Sequence, residues 1–225
     1  PSSASRREPH AYSGRMKHPL DVHPLRNTIR LKLKSHPLLA QLDDDEAFAE
    51  LFALIEVHEC SRGERLLEQG GRDLRHFFVI EGVLKRMVTS SEGREMTLHF
   101  AGEGDMETCF EAWRQHTGST FAIVCAQRSL VASLPMEDWY AFLERHPAVR
   151  RQFHERLVLL GAAIVEHAVA LLLLDAPSRV NRFSFRHPEL VDKLPQKDVA
   201  SHLNLSAETL CRLTRRHRGE LQQQA

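Results

Sequence analysis

The sequence predicts an α+β protein in three parts: a small all-β domain with flanking helices, one long helix, and a C-terminal helix-turn-helix. Three observations carry this. Between residues 57 and 134, period-two runs such as HFFVIEG and EMTLHF are split by Gly-containing turns, the pattern of a small barrel or sandwich. Residues 157–174 form the most apolar run of the chain. Residues 194–216, LPQKDVASHLNLSAETLCRLTRR, read as two short helices around a tight turn.

Taken in order, residues 1–16 are polar, with Pro, Ser and Gly, and are expected to be a disordered tail extending to about residue 23. The β-domain with its flanking helices spans 24–146. Helical spacing is read over 24–35 and 43–57. In the second segment Phe48, Leu51, Phe52 and Ile55 share a face, and Asp43–Asp45 suit a helix start. FAIVCA (121–126) and SLVASL (129–134) close the β region, and a short helix is expected over Pro135–Ala141.

After Pro147 a helix is expected over 147–175, about 40 Å long at ~1.5 Å per residue. Phe153, Leu157, Leu160, Ile164, His167, Leu171 and Leu174 alternate at spacings of four and three, a heptad seam. Val158, Val165, Ala168 and Leu172 make a second stripe. A helix apolar on two sides needs two partners. The expectation is a parallel homodimer in which Leu157, Leu160, Ile164, His167 and Leu171 face the second copy. Pro177 is expected to break the helix and act as hinge, with the helix-turn-helix domain over 176–225.

In the helix-turn-helix, Val199 and Leu203 form an apolar face, and Ala200 suits a close helix crossing. Asn204 tolerates the positive φ of a turn. Leu205 points inward, Ser206 N-caps the second helix, and Leu210 and Leu213 hold it down. Glu208, Arg212 and Arg215 then lie on one outward face, suited to the major groove. Charge placement agrees. The whole chain has a formal net charge of zero, but residues 176–225 hold nine Lys/Arg against five Asp/Glu. A basic C-terminal module on an acidic body suits phosphate contact by one end.

The four cysteines, Cys60, Cys109, Cys125 and Cys211, are widely spaced and form no CxxC pair; reduced thiols in a cytoplasmic protein are expected. No signal peptide is read, and Glu166 and His167 interrupt the apolar run, so no membrane partner is expected. Of the fourteen histidines, His99, His116, His154 and His167 fall in or near the β-domain and long helix without ligand spacing. They are read as surface or satisfied core side chains, and no metal or cofactor is assigned. No nucleophile–base pair or phosphate loop is visible, so no enzymatic activity is expected.

The pattern RGERLLEQGG…FFVIEGVLKRM, followed by a long helix and LPQKDVASHLNLSAETLCRL, resembles the Crp/Fnr family of bacterial transcription regulators over residues 36–218. The resemblance extends to Gly104-Asp105 and to a branch with little or no wing after the recognition helix. Cys211 stands where that branch usually has Ser. The family implies a β-roll (a jelly-roll, or double-stranded β-helix) that senses a small effector, and a homodimer that reads a palindromic operator in double-stranded DNA. RNA polymerase is a further implied partner. Carried over by position, Glu208 and Arg212 read bases. Gln196, Lys197, Ser206, Thr209, Arg215 and Arg216 approach phosphates, with Ala207 among them.

The effector pocket departs from the family pattern. Cyclic-nucleotide binders carry a Gly-Glu-Leu turn and then Arg-Ser/Thr-Ala, whose Arg pairs the cyclic phosphate. Here Thr108 and Cys109 fall near the Gly-Glu pair, and Ser119 and Thr120 near the Arg. The expected pocket, Met106, Glu107, Thr108, Cys109, Phe110, Ser119, Thr120 and Phe121, lacks a guanidinium unless Arg114 substitutes. Cyclic AMP is therefore not expected as the effector. The alternatives are a cyclic-nucleotide-responsive subunit acting on a partner protein, and a haem or redox sensor.

Overall fold

The computed structural model describes residues 17–222 apart from Asp192, with side chains as far as Arg215. Two antiparallel sheets form the β-roll. β1 (His18–Pro19), β2 (Glu56–Cys60), β4 (Arg75–Glu81), β7 (Met106–Thr108) and β9 (Ser129–Pro135) make one, in the order β1-β2-β9-β4-β7. β3 (Arg65–Leu67), β5 (Leu84–Thr89), β6 (Glu95–Ala101) and β8 (Ala122–Cys125) make the other, ordered β3-β8-β5-β6. β4 and β9 are buried along almost their whole length. The continuous apolar run FFVI, rather than an alternating one, is the sequence form of that double burial.

Helices α1 (Arg26–Lys34), α2 (Asp45–Leu54), α3 (Phe110–Arg114) and α4 (Met136–Arg145) cover the roll. Asp44 caps α2 by accepting from the Glu46 amide at 2.9 Å. The expected disordered tail is too long: residues 17–23 are ordered, because His18–Pro19 pair with Glu56–Val57 and Leu20 is fully buried in the core. Residues 1–16 lie outside the described residues.

An aromatic knot fixes the long helix α5 (Pro147–Leu173) to the roll. Trp139 stacks on His76 at 4.5 Å, and Phe153 of α5 meets both edge-on. α5 is long and apolar enough to cross a membrane by length and composition alone. One of its faces, however, lies on the chain's own domains. Phe153 and Ala170 are buried there, and Leu157, Leu160, Ile164, His167 and Leu171 are half-buried.

Within the single chain the two stripes are covered unequally. The seam assigned to a second copy faces inward, and the outward face carries Val158, Leu159, Val165, Val169, Leu172 and Leu173, all exposed. Both stripes repeat at fours and threes, so periodicity cannot choose between them. Phe153 and the ring of His167, both on the first stripe, each have a partner on the chain's own body.

The expected hinge also shifts. α5 ends at Leu173, and Leu174 and Asp175 are extended. Pro177 lies in the first turn of α6 (Ala176–Arg186), where its missing N–H costs nothing. Asp175 caps α6 by accepting from the Ser178 amide at 2.9 Å. α7 (Pro188–Val191), α8 (Gln196–His202) and α9 (Ala207–Gln222) complete the described chain.

Candidate functional site

α8 and α9 form the helix-turn-helix. Asn204 sits between them at φ 52°, one of two non-glycine residues with positive φ among the described residues. Val199, Ala200, Leu203 and Leu210 are buried with Val180, Phe183, Leu190 and Leu194, and Leu205 and Leu213 pack beside them. Ser206 caps α9 by accepting from the Thr209 amide at 3.1 Å, and its hydroxyl donates to Thr209 Oγ1 at 2.9 Å. With the apolar side of α9 committed inward, Glu208, Arg212 and Arg215 are left exposed. Gln196, Lys197, Ser206 and Ala207 are exposed at the helix starts, and Thr209 is half-buried. The side chain of Arg216 lies outside the described residues.

The helix-turn-helix is seated on the roll. Its small core is shared with Val83, Phe100 and Ala126 of the β-domain. Lys85 of β5 donates to Asp198 of α8 at 2.6 Å, and both side chains are largely covered. Ser201 Oγ accepts from the Thr97 amide at 3.1 Å, and His202 Nδ1 lies 3.1 Å from the Thr97 carbonyl. Arg94 donates to the Asn204 side chain. His202 is held neutral, its pKa lowered to about 3 by burial and then by the neighbouring His167. Sequence reading does not single out Lys85, Asp198 and His202, because their partners lie about a hundred residues away in the chain.

Several side chains of the expected effector pocket are paired or buried within the roll. Glu107 is fully buried in β7 and accepts from Arg86 of β5 at Nη2 (2.5 Å) and Nε (3.1 Å). The Arg86 guanidinium also donates to the Thr108 carbonyl at 3.3 Å and lies 3.9 Å above the Phe121 ring. A guanidinium is therefore present inside the roll, contrary to the expectation, but it comes from β5 and is matched by an internal carboxylate. Arg114 is exposed at the end of α3 and does not take that place.

The other expected pocket residues have structural tasks. Met106, Thr108 and Cys109 are buried, and Phe110 packs edge-on against Phe153. Ser119 is buried. Its hydroxyl donates to the Phe121 carbonyl at 2.7 Å, and its carbonyl accepts from the Gly70 amide at 2.6 Å. A Cβ on neighbouring Gly118 would stand 2.4 Å from the Gly70 oxygen, so only glycine fits that crossing. Thr120 is exposed.

Cys60, Cys109 and Cys125 are buried thiols. Burial pushes Cys109 up to about 12. Cys125 is raised further by a hydrogen bond with Cys60 and by burial. Such thiols are poor nucleophiles at neutral pH. Among the described residues no group of three or more His, Cys, Asp or Glu is placed to hold a metal ion.

Residues 57–146 match the family of the cyclic nucleotide-binding domain. The chain is similar to regulatory protein HlyX of Actinobacillus pleuropneumoniae, 23% identical over 183 residues and covering 75% of each chain. Its fold is that of FixK2 from Bradyrhizobium japonicum, with a TM-score of 0.66 at 14% identity over 74% of this chain and 85% of that one. It is equally that of a Crp/Fnr regulator from Eubacterium rectale, with a TM-score of 0.64 at 16% identity over 81% and 87%. A cyclic nucleotide-binding domain over residues 57–146, a long connecting helix and a C-terminal helix-turn-helix give the chain the fold and element order of the Crp/Fnr regulators it is similar to.

Proposed function

We propose that this regulator acts in the cytoplasm as a homodimer that reads a palindromic site in double-stranded DNA through α9, without catalytic activity. The observation that carries the reading is the exposed row Glu208, Arg212 and Arg215 on a Ser206-capped helix whose opposite side is buried. Arg212 suits a bidentate contact to guanine and Glu208 a contact to cytosine N4. Gln196, Lys197 and Arg215, with Arg216 beyond the described side chains, suit phosphates. The dimer is proposed to form on the outward stripe of α5, where Val158, Ala162, Val165, Val169 and Leu172 keep heptad spacing.

The roll is proposed to transmit a signal other than cyclic AMP, since Glu107 already occupies the Arg86 guanidinium. The test is selection of binding sites from a random duplex pool with the purified protein. Enrichment of two half-sites about one helical turn apart supports the reading. A pool that stays random overturns it.

A further inference from the structure

Outside the expected effector site of the roll, the molecule has a cavity. It holds about 270 Å³ and lies between β6, α5, α6 and α8, at the small end of ligand pockets. We infer that this cavity binds a small aromatic anion, a carboxylate or a phosphate ester, that clamps the helix-turn-helix onto the sensor domain. The inference does not depend on what α9 reads.

Charge comes first. Arg179, Arg182 and Arg186 line the cavity from one face of α6. Glu166 of α5 accepts from Arg182 at 3.2 Å and from Arg186. One carboxylate thus answers two guanidinium groups, and Arg179 has no ion-pair partner among the described residues. Its Nε is buried with no hydrogen-bond partner. On the opposite wall, His167 Nε2 is also buried without one. Buried polar atoms are normally satisfied; these two belong to side chains that line the same cavity, and together with the surplus guanidinium charge they favour a polar guest. The histidines do not cancel or add to the positive charge at neutral pH. His167, His202, His187 and His99 are all shifted toward the neutral form, in each case chiefly by burial.

Shape gives the rest of the ligand. His167 and His202 stack with centroids 3.7 Å apart and planes 3° from parallel. Phe100, Phe183, Leu98 and Leu171 supply apolar surface beside them. A flat ring fits that wall while its anionic group reaches the planar guanidinium of Arg179.

The walls belong to two bodies. Leu98 to Phe100 come from the roll and Ala163 to Leu171 from α5, whereas His202 and Leu203 come from the helix-turn-helix. A ligand that needs all of them binds only the seated arrangement. It multiplies the seated-to-released ratio by 1 + [L]/Kd, about a hundredfold at a hundred times Kd.

Calorimetric titration with 2-naphthoate and with 2-naphthyl phosphate tests this, with uncharged 2-naphthamide as control. At least one anion is expected to bind the wild type at least tenfold more tightly than the amide, and which one does so separates carboxylate from phosphate recognition. Bound anion is expected to shift the ring-proton resonances of His167 and His202 and to slow proteolysis at residues 173–176. Arg179→Gln is expected to lose at least tenfold in anion affinity while amide binding is unchanged. Ala163→Trp, which fills the mouth without altering charge, is expected to abolish binding of both. Equal affinity for anion and amide overturns the inference, as does no binding of either anion at millimolar concentration. Anion binding unchanged by Ala163→Trp also overturns it. So does an Arg179→Gln protein that loses only DNA affinity, since α6 would then be a phosphate contact of the duplex.

Discussion

Lys85 and Asp198, 113 residues apart in sequence, form an ion pair at 2.6 Å that ties the β3-β8-β5-β6 sheet of the β-roll to the first helix of the helix-turn-helix. Removing one member leaves the other covered and unpaired, a loss on the order of 3 kcal/mol. Asp198→Asn is therefore expected to release the helix-turn-helix, seen as faster cleavage at residues 173–176 with the β-roll still folded. The double variant Lys85→Met with Asp198→Leu, which removes both charges, is expected to restore protection. Equal cleavage of wild type and Asp198→Asn would show that the pair does not hold the two parts together.

Protonation should open the same interface. His202 has a folded pKa of about 3, against an ordinary value near 6.5. The released helix therefore binds the proton more readily than the seated one. Seating contributed by this group is complete above pH 6.5 and is lost as pH falls toward 3. At pH 5 the loss is about 2 kcal/mol. Hydrogen exchange of α8 at pH 7 and pH 5 measures this, and His202→Phe should flatten the difference. The neighbouring His167, His187 and His99 set the residual slope, and the fixed charge of Arg182 disfavours protonation of His167.

The two stripes of α5 respond differently to charge. Val165→Glu places a carboxylate on the outward face, and is expected to split the dimer in sedimentation while leaving the monomer folded. Ile164→Glu puts it against the chain's own body, and is expected to lower the melting temperature instead. The reverse pattern would return the dimer contact to the Leu157–Leu171 seam.

On DNA, Arg212→Ala is expected to cost about 1–3 kcal/mol and to relax selection at one base position of each half-site. Arg215→Ala is expected to weaken all sequences alike and to flatten the salt dependence by about 0.9 for each phosphate no longer neutralised. Electrophoretic shifts across a salt series on matched and mutated sites separate the two.

Cyclic AMP is expected to bind the wild type weakly. A charge-assisted pair withheld from its phosphate costs ~2–4 kcal/mol, about 30- to 1000-fold in affinity. Glu107→Gln frees the Arg86 guanidinium and is expected to raise that affinity. Sub-micromolar binding by the wild type would show that the Arg86–Glu107 pair opens for a ligand.

What the sequence made legible was set by period and by chain proximity. The roll, α5 and the helix-turn-helix follow from runs of neighbouring residues, and so do the caps at Asp44 and Ser206 and the turn at Asn204. Two things escape such reading. Val165 and Ile164 sit on stripes of the same period, and only the tertiary partners of Phe153 and His167 show which stripe the chain's own body covers. Arg86 and Glu107 meet across the two sheets, Lys85 and Asp198 across two domains, and no local pattern announces either pair. Pro177 misled because a proline that ends one helix is equally suited to begin the next.

The two extended residues between α5 and α6, Leu174 and Asp175, have a consequence for how small a signal can matter. A tether of this length confines the detached helix-turn-helix to a few ångströms around its seat. Its local concentration there is then millimolar or higher. Re-seating becomes a unimolecular event that outruns encounters with other molecules. The balance between the two arrangements can thus sit near even odds while every individual interaction stays weak. One proton on His202 or one small anion is then a large enough perturbation to decide it.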